Sequence, residues 1–160
     1  MRLLRLTPAD VRTPETFVHE LGVRYGECDP QGIVFNANYL LYFDVVFTEL
    51  WRAAVGPWQD MVERGVDAVV AEATLEFRSP ARFDDVLALR AHVRTLGRTA
   101  ITTDIDVVRG EELLVRGRLR HVCVSTHRDQ SQTGLPETVT KIGIPDWVRD
   151  GLSRFTVPVP

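Results

Sequence analysis

From Thr16 to Arg24 the chain alternates, setting Phe17, His19, Leu21 and Val23 against Val18, Glu20, Gly22 and Arg24, and this period of two predicts a strand. Further on the period changes. Between about Asn36 and Val55, Tyr39, Leu40, Leu41, Tyr42, Phe43, Val45, Val46, Phe47, Leu50 and Trp51 cover more than one stripe of a helix, while the charges are Asp44, Glu49 and Arg52. A helix so apolar is predicted to be surrounded by protein. It is short for a bilayer span and too charged for one. Gly56 and Pro57 stop it, and Trp58 to Gly65 reads as a short link.

Four more period-two patterns come next, on Ala71 to Phe77, Leu87 to Val93, Ile101 to Val107 and Val115 to Cys123, with Arg90, Arg94, Asp104, Asp106, Arg116 and Arg118 among the intervening positions. The tight links at 96–99 and at Arg109-Gly110 predict hairpins. The chain is therefore expected to be α+β: one strand, one long helix, then a four-stranded antiparallel meander laid against it. A late helix is expected between Ile144 and Leu152, with Pro145 at its start and Trp147, Val148 and Leu152 along one side.

At 160 residues the chain fits one domain. Residues 1–15 read as an N-terminal arm, 16–155 as the domain and 156–160 as an extended tail. A net charge of −3 offers no electrostatic footprint for nucleic acid. Cys28 and Cys123 lack metal spacing, as do His19, His92, His121 and His127, so neither a metal nor a cofactor is expected. The first residues do not resemble a secretory signal, and the chain is read as cytoplasmic.

The richest stretch is Tyr25 to Arg52, YGECDPQGIVFNANYLLYFDVVFTELWR. Asp29, Pro30, Gln31 and Gly32 suit a type I turn, an ordinary use of Asp before Pro. Asn36 or Asn38 is placed to cap the helix beyond it.

Those residues, YGECDPQGIVFNANY in particular, resemble the active-site segment of the 4-hydroxybenzoyl-CoA thioesterase family, which includes the YbgC-like acyl-CoA thioesterases. The resemblance runs from about Phe17 to Leu152 and takes in PARFDD at 80–85 and the late IPDW. It implies a hotdog fold, in which a five-stranded antiparallel sheet wraps a central helix, and it implies hydrolysis of an acyl-CoA. By the same likeness Asp29 is either a nucleophile or the general base for water, and the backbone N–H at Asn36 polarises the thioester carbonyl at the helix start. Tyr25, Gly32, Phe35, Asn38 and Tyr39 are implied to line the substrate site, and Lys141, the only lysine, to meet a phosphate. Asn36 stands where the YbgC-like pattern commonly has histidine. Family sites lie between protomers, so a homodimer or a tetramer built as a dimer of dimers is implied, with an acyl-CoA as small-molecule partner and neither nucleic acid nor membrane. Two other readings stay open: a noncatalytic acyl-CoA sensor, and a hotdog dehydratase or hydratase, which would need a histidine beside the acid.

Overall fold

The computed structural model describes residues 15–126 and 140–157. Five long strands, β1 (Phe17–Gly22), β2 (Val66–Phe77), β3 (Val86–Leu96), β4 (Ala100–Arg109) and β5 (Glu112–Ser125), form one antiparallel sheet in the order β1-β3-β4-β5-β2. A two-residue strand, β6 (Thr140–Lys141), adds to the far end of β5. Helix α1 (Asn38–Ala54) lies across the sheet, and α2 (Trp58–Glu63) and α3 (Asp146–Leu152) close its sides.

The predicted meander is corrected by this order. Only β3, β4 and β5 run as a meander, while β2 pairs with β5 at the opposite edge from β1. Residues 78–85, carrying Pro80, are no hairpin. They cross three strand spacings, about 14 Å, to bring the chain from beyond β5 to β3, a span eight residues reach easily.

The three central strands obey their alternation through their middles, while Val108 of β4 and Leu114, Val122 and Val124 of β5 are buried on the alternate positions as well. Leu87, Leu89, Ala91 and Val93, then Ile101, Thr103, Ile105 and Val107, then Val115, Leu119, His121 and Cys123 all turn inward and are buried. Against them α1 sets Tyr39, Tyr42, Phe43, Val46, Phe47, Leu50 and Trp51, spaced three and four apart along one stripe. Gly117 makes room for this contact, since a Cβ there would stand 2.4 Å from the Phe43 ring and 2.3 Å from the Thr74 carbonyl. Phe47 stacks on His121 with centroids 3.7 Å apart.

Two expectations about exposure are corrected. The sheet reaches round only one side of α1, so Leu40, Leu41 and Asp44 are exposed in the single chain. Strand β2, with no neighbour beyond it, leaves Val69, Val70, Ala71, Ala73 and Phe77 open to solvent.

On the outer face the charges answer one another across the strands. Arg94 and Arg118 both donate to Asp104, Arg116 makes two bonds to Asp106, and Arg120 meets Glu72. Each such exposed pair is worth about 1 kcal/mol or less.

Candidate active site

Between the end of β1 and the start of α1 the chain makes a small hairpin. Cys28 bridges Val34, the Asp29 N–H donates to the Ile33 carbonyl, and the Gly32 N–H donates back to the Asp29 carbonyl at 2.9 Å. The expected turn is therefore present. Gly32 has φ +75°, a left-handed conformation that closes a three-residue hairpin loop and that a side chain would strain. The Asp29 carboxylate accepts the Gln31 N–H at 2.8 Å through Oδ1, which leaves Oδ2 free of protein partners among the described residues.

Glu27, not singled out in the sequence, anchors this hairpin to the helix. Its carbonyl accepts the Phe35 N–H at 2.9 Å and the Asn38 amide at 2.7 Å, and its carboxylate accepts the Tyr42 hydroxyl at 2.7 Å and the Arg24 N–H at 2.8 Å. Burial, and then the Glu27 carboxylate, hold the Tyr42 hydroxyl far above its ordinary range, so it stays protonated and keeps donating.

The capping expectation is corrected. Ala37, which has no side-chain acceptor, occupies the cap position with helical dihedrals and no side chain caps the helix; Asn38 is already its first residue and donates its amide nitrogen to the Glu27 carbonyl. Carbonyls of Phe35, Asn36 and Ala37 take the N–H groups three residues on, a tightened first turn. The N–H groups of Asn36 and Ala37 themselves donate to no acceptor among the described residues.

These elements wall a cleft of about 560 Å³. The hairpin contributes Asp29, Gln31 and Ile33, and the helix entry contributes Phe35, Asn36 and Tyr39. The third wall is the end of β2 and the three residues beyond it, namely Phe77, Arg78, Ser79 and Pro80. Tyr39 lies edge-on to Phe77 with centroids 5.6 Å apart, and its hydroxyl accepts the Ala81 N–H at 3.1 Å. Burial raises the Tyr39 hydroxyl above its usual range, so it is an apolar wall and a strut, not an acid. The Ala81 carbonyl accepts the Val34 N–H at 2.9 Å, tying the wall back to the hairpin. Arg109 donates to Asp85 and Glu112, and the Ser79 hydroxyl donates to Glu112, which secures the crossing segment from below. Another hollow, about 780 Å³, lies on the outer sheet face, where the paired Arg94, Asp104, Asp106, Arg116 and Arg118 stand with Glu76, Arg90 and His92.

The sequence candidates thus divide. Asp29, Asn36, Phe35 and Tyr39 meet in one cleft. Gly32 shapes the turn and Asn38 braces Glu27, outside the lining. Tyr25 is 80% exposed and packs edge-on to Phe83, away from the cleft of its own chain. Lys141 pairs with Val124, ten residues along β5 from Leu114, whose carbonyl receives the Arg78 N–H, a separation of about 33 Å along an extended strand. Lys141 therefore does not reach the cleft of its own chain. Arg78, Ser79 and Pro80 were missed, because a Ser-Pro pair reads locally as a strand stop and nothing nearby in sequence says which strand lies alongside.

Among the described residues no three His, Cys, Asp or Glu side chains are grouped to hold a metal, and His127 lies outside them. Burial lowers the His121 imidazole to about 4, so it is a neutral core ring. No helix among the described residues is long and apolar enough to cross a membrane.

A curled antiparallel sheet wrapped on one long helix is the hotdog fold, and solved structures share it. The chain superposes on the hypothetical protein TT1821 from Thermus thermophilus with a TM-score of 0.74 at 31% identity, over 86% of this chain and 98% of that one. The family model described as the thioesterase superfamily matches residues 31–116, the span from the hairpin to β5. A putative esterase of Aquifex aeolicus is 26% identical over 126 residues, 79% of this chain and 96% of that protein. The acyl-CoA thioester hydrolase YbgC of Shigella flexneri is 29% identical over 103 residues, 64% of this chain and 77% of that one. The chain belongs to the thioesterase superfamily, and its class of reaction is thioester hydrolysis.

Proposed function

We propose that the protein hydrolyses the thioester of an acyl- or aroyl-CoA to the free acid and coenzyme A. The observation that carries this reading is a carboxylate, Asp29, and an uncommitted backbone N–H, that of Asn36, lining one cleft where α1 begins. The thioester carbonyl accepts the Asn36 N–H, and the positive end of the helix favours the negative charge that develops on that oxygen. The free Asp29 oxygen then either attacks the carbonyl carbon, giving an anhydride that water cleaves, or draws a proton from the water that attacks. Both routes consume one water and expel the thiolate. The similarity to the acyl-CoA thioester hydrolase YbgC of Shigella flexneri supports the coenzyme A thioester as substrate class.

The wall formed by Phe35, Tyr39 and Phe77 takes the acyl group, and a second copy of the chain covers the open edge of β2 beside it, completing the site in a homodimer or a tetramer of two dimers. Tyr25 and Lys141, both outside the cleft of their own chain, are assigned to a partner's site in that assembly. Both described cysteines are free thiols, which suits the cytoplasm as the compartment. A histidine to partner the acid, which a dehydratase would use, is absent from the described lining.

Thiol release from a panel of acyl-CoAs tests this, with Asp29→Asn alongside. Asn keeps an oxygen for the Gln31 N–H, so the hairpin survives while the reactive carboxylate is lost. A fall in kcat of about 10²-fold or more is expected. A folded Asp29→Asn protein as fast as the native one refutes the mechanism, and tight acyl-CoA binding without any thiol release favours a sensor.

A further inference from the structure

The cleft is electrically polarised. Asp29 stands on the hairpin wall, and on the facing β2 wall the single cation among the described lining residues is Arg78. Its backbone is fixed, since the N–H groups of Arg78 and Ser79 both donate to the Leu114 carbonyl, at 2.9 and 3.1 Å. Its side chain is not. Among the described residues the guanidinium touches only Glu76, through Nε at 3.1 Å and Nη2 at 3.0 Å to the same carboxylate oxygen, in a pair whose side chains are 45% and 61% exposed. Water screens such a contact, so a better acceptor displaces it readily. Arg94, Arg109, Arg116 and Arg118 are more firmly engaged: Asp104 serves two of them, Asp106 gives two bonds to Arg116, and Arg109 bridges Asp85 and Glu112.

We infer that Arg78 leaves Glu76 to bind an anionic group of the substrate, a phosphate of the thiol carrier or a carboxylate on the acyl chain, while the thioester sits at Asp29. The inference rests on the thioesterase reading above. An anionic substrate entering this cleft meets the repulsion of Asp29, and Arg78 is the lining group that offsets it. A guanidinium also offers paired N–H donors matched to the oxygens of either anion. Glu76 is then a competitor for Arg78, so removing the two residues has opposite effects on substrate binding. A merely structural ion pair gives effects of one sign.

The test compares one acyl group carried on coenzyme A and on N-acetylcysteamine, which has no phosphate, and adds a dicarboxylic half-thioester of N-acetylcysteamine. Arg78→Gln raises KM about tenfold or more for the thioesters bearing the recognised anion, with a much smaller effect on kcat. Arg78→Lys restores most of the loss, and Glu76→Gln lowers KM. A loss confined to coenzyme A thioesters assigns the anion to phosphate, and a loss that tracks the dicarboxylic group assigns it to carboxylate. Equal losses on all three thioesters, no loss, or a rise in KM with Glu76→Gln overturns the inference. Should the native chain release no thiol at all, the same variants are titrated calorimetrically with coenzyme A and with the free dicarboxylic acid. Binding that depends on Arg78 then keeps the inference while the hydrolase reading falls, and binding indifferent to Arg78, or none, removes both.

Discussion

At the scale of single residues, Glu27 illustrates how a site is held by a group that does no chemistry in it. Its side chain is 14% exposed, and the Tyr42 hydroxyl supplies one of its hydrogen bonds. Tyr42→Phe leaves a largely buried carboxylate short of a donor and should cost about 1–3 kcal/mol, read as a shift in the urea midpoint at constant m-value. His121 makes a second residue-scale prediction. Its folded-state imidazole titrates near 4 because burial penalises the charged ring, whereas the unfolded chain titrates near 6.5. As pH falls below about 6.5 the unfolded state takes up a proton that the folded state refuses, so stability drops until about pH 4 and then levels, by about 3 kcal/mol in all. His121→Phe should keep the stacking on Phe47 and flatten that part of the stability profile, measured by chemical denaturation at a series of pH values. What was legible in the sequence at this scale was what is local. The Asp29 turn closes within five residues, so its residue types announce it, whereas Glu27 meets Tyr42 fifteen positions away and Arg78 faces Asp29 only because the fold brings them together.

Among the elements, the period-two patterns of β3, β4 and β5 identified their buried faces, since a strand with one face on a helix has no freedom over which side chains turn in. Such a pattern says which face is inside but not which strand is the neighbour. The place of β2 beyond β5 therefore could not be read, and with it went the third wall of the cleft. The helix misled in the opposite sense: Leu40 and Leu41 made α1 look enclosed on nearly every side, yet the sheet covers one stripe and leaves them exposed. The contact between helix and sheet is set by Gly117. Gly117→Ala forces a methyl group into the Phe43 ring and the Thr74 carbonyl, and should destabilise by about 3 kcal/mol or more while the far-ultraviolet spectrum of any folded fraction is retained. A midpoint unchanged from native would mean that α1 stands further from β5 than described.

For the whole molecule, the exposed edge of β2 and the neighbouring apolar side chains are the conspicuous feature. Val69, Val70 and Phe77 are between 42% and 53% exposed, and a twelve-residue strand with open backbone donors and acceptors invites pairing. A second copy laid along this edge would shield it and wall the cleft at Phe77, uniting assembly and site in one structural feature. Val70→Lys, which places a charge on that edge, should shift the protein toward monomer in sedimentation velocity and lower turnover together with the dimer population. A Val70→Lys protein that stays dimeric would move the interface elsewhere.

In the proposed mechanism the thioester lies between Asp29 and the amide at the start of α1. The most direct measurement is a crystal structure of Asp29→Asn, which binds without rapid turnover, grown with an acyl-CoA that the native enzyme cleaves. The thioester oxygen is expected about 3 Å from the Asn36 nitrogen, with the carbonyl carbon facing residue 29. A thioester bound elsewhere, on the outer sheet face or with its oxygen turned to solvent, would contradict it.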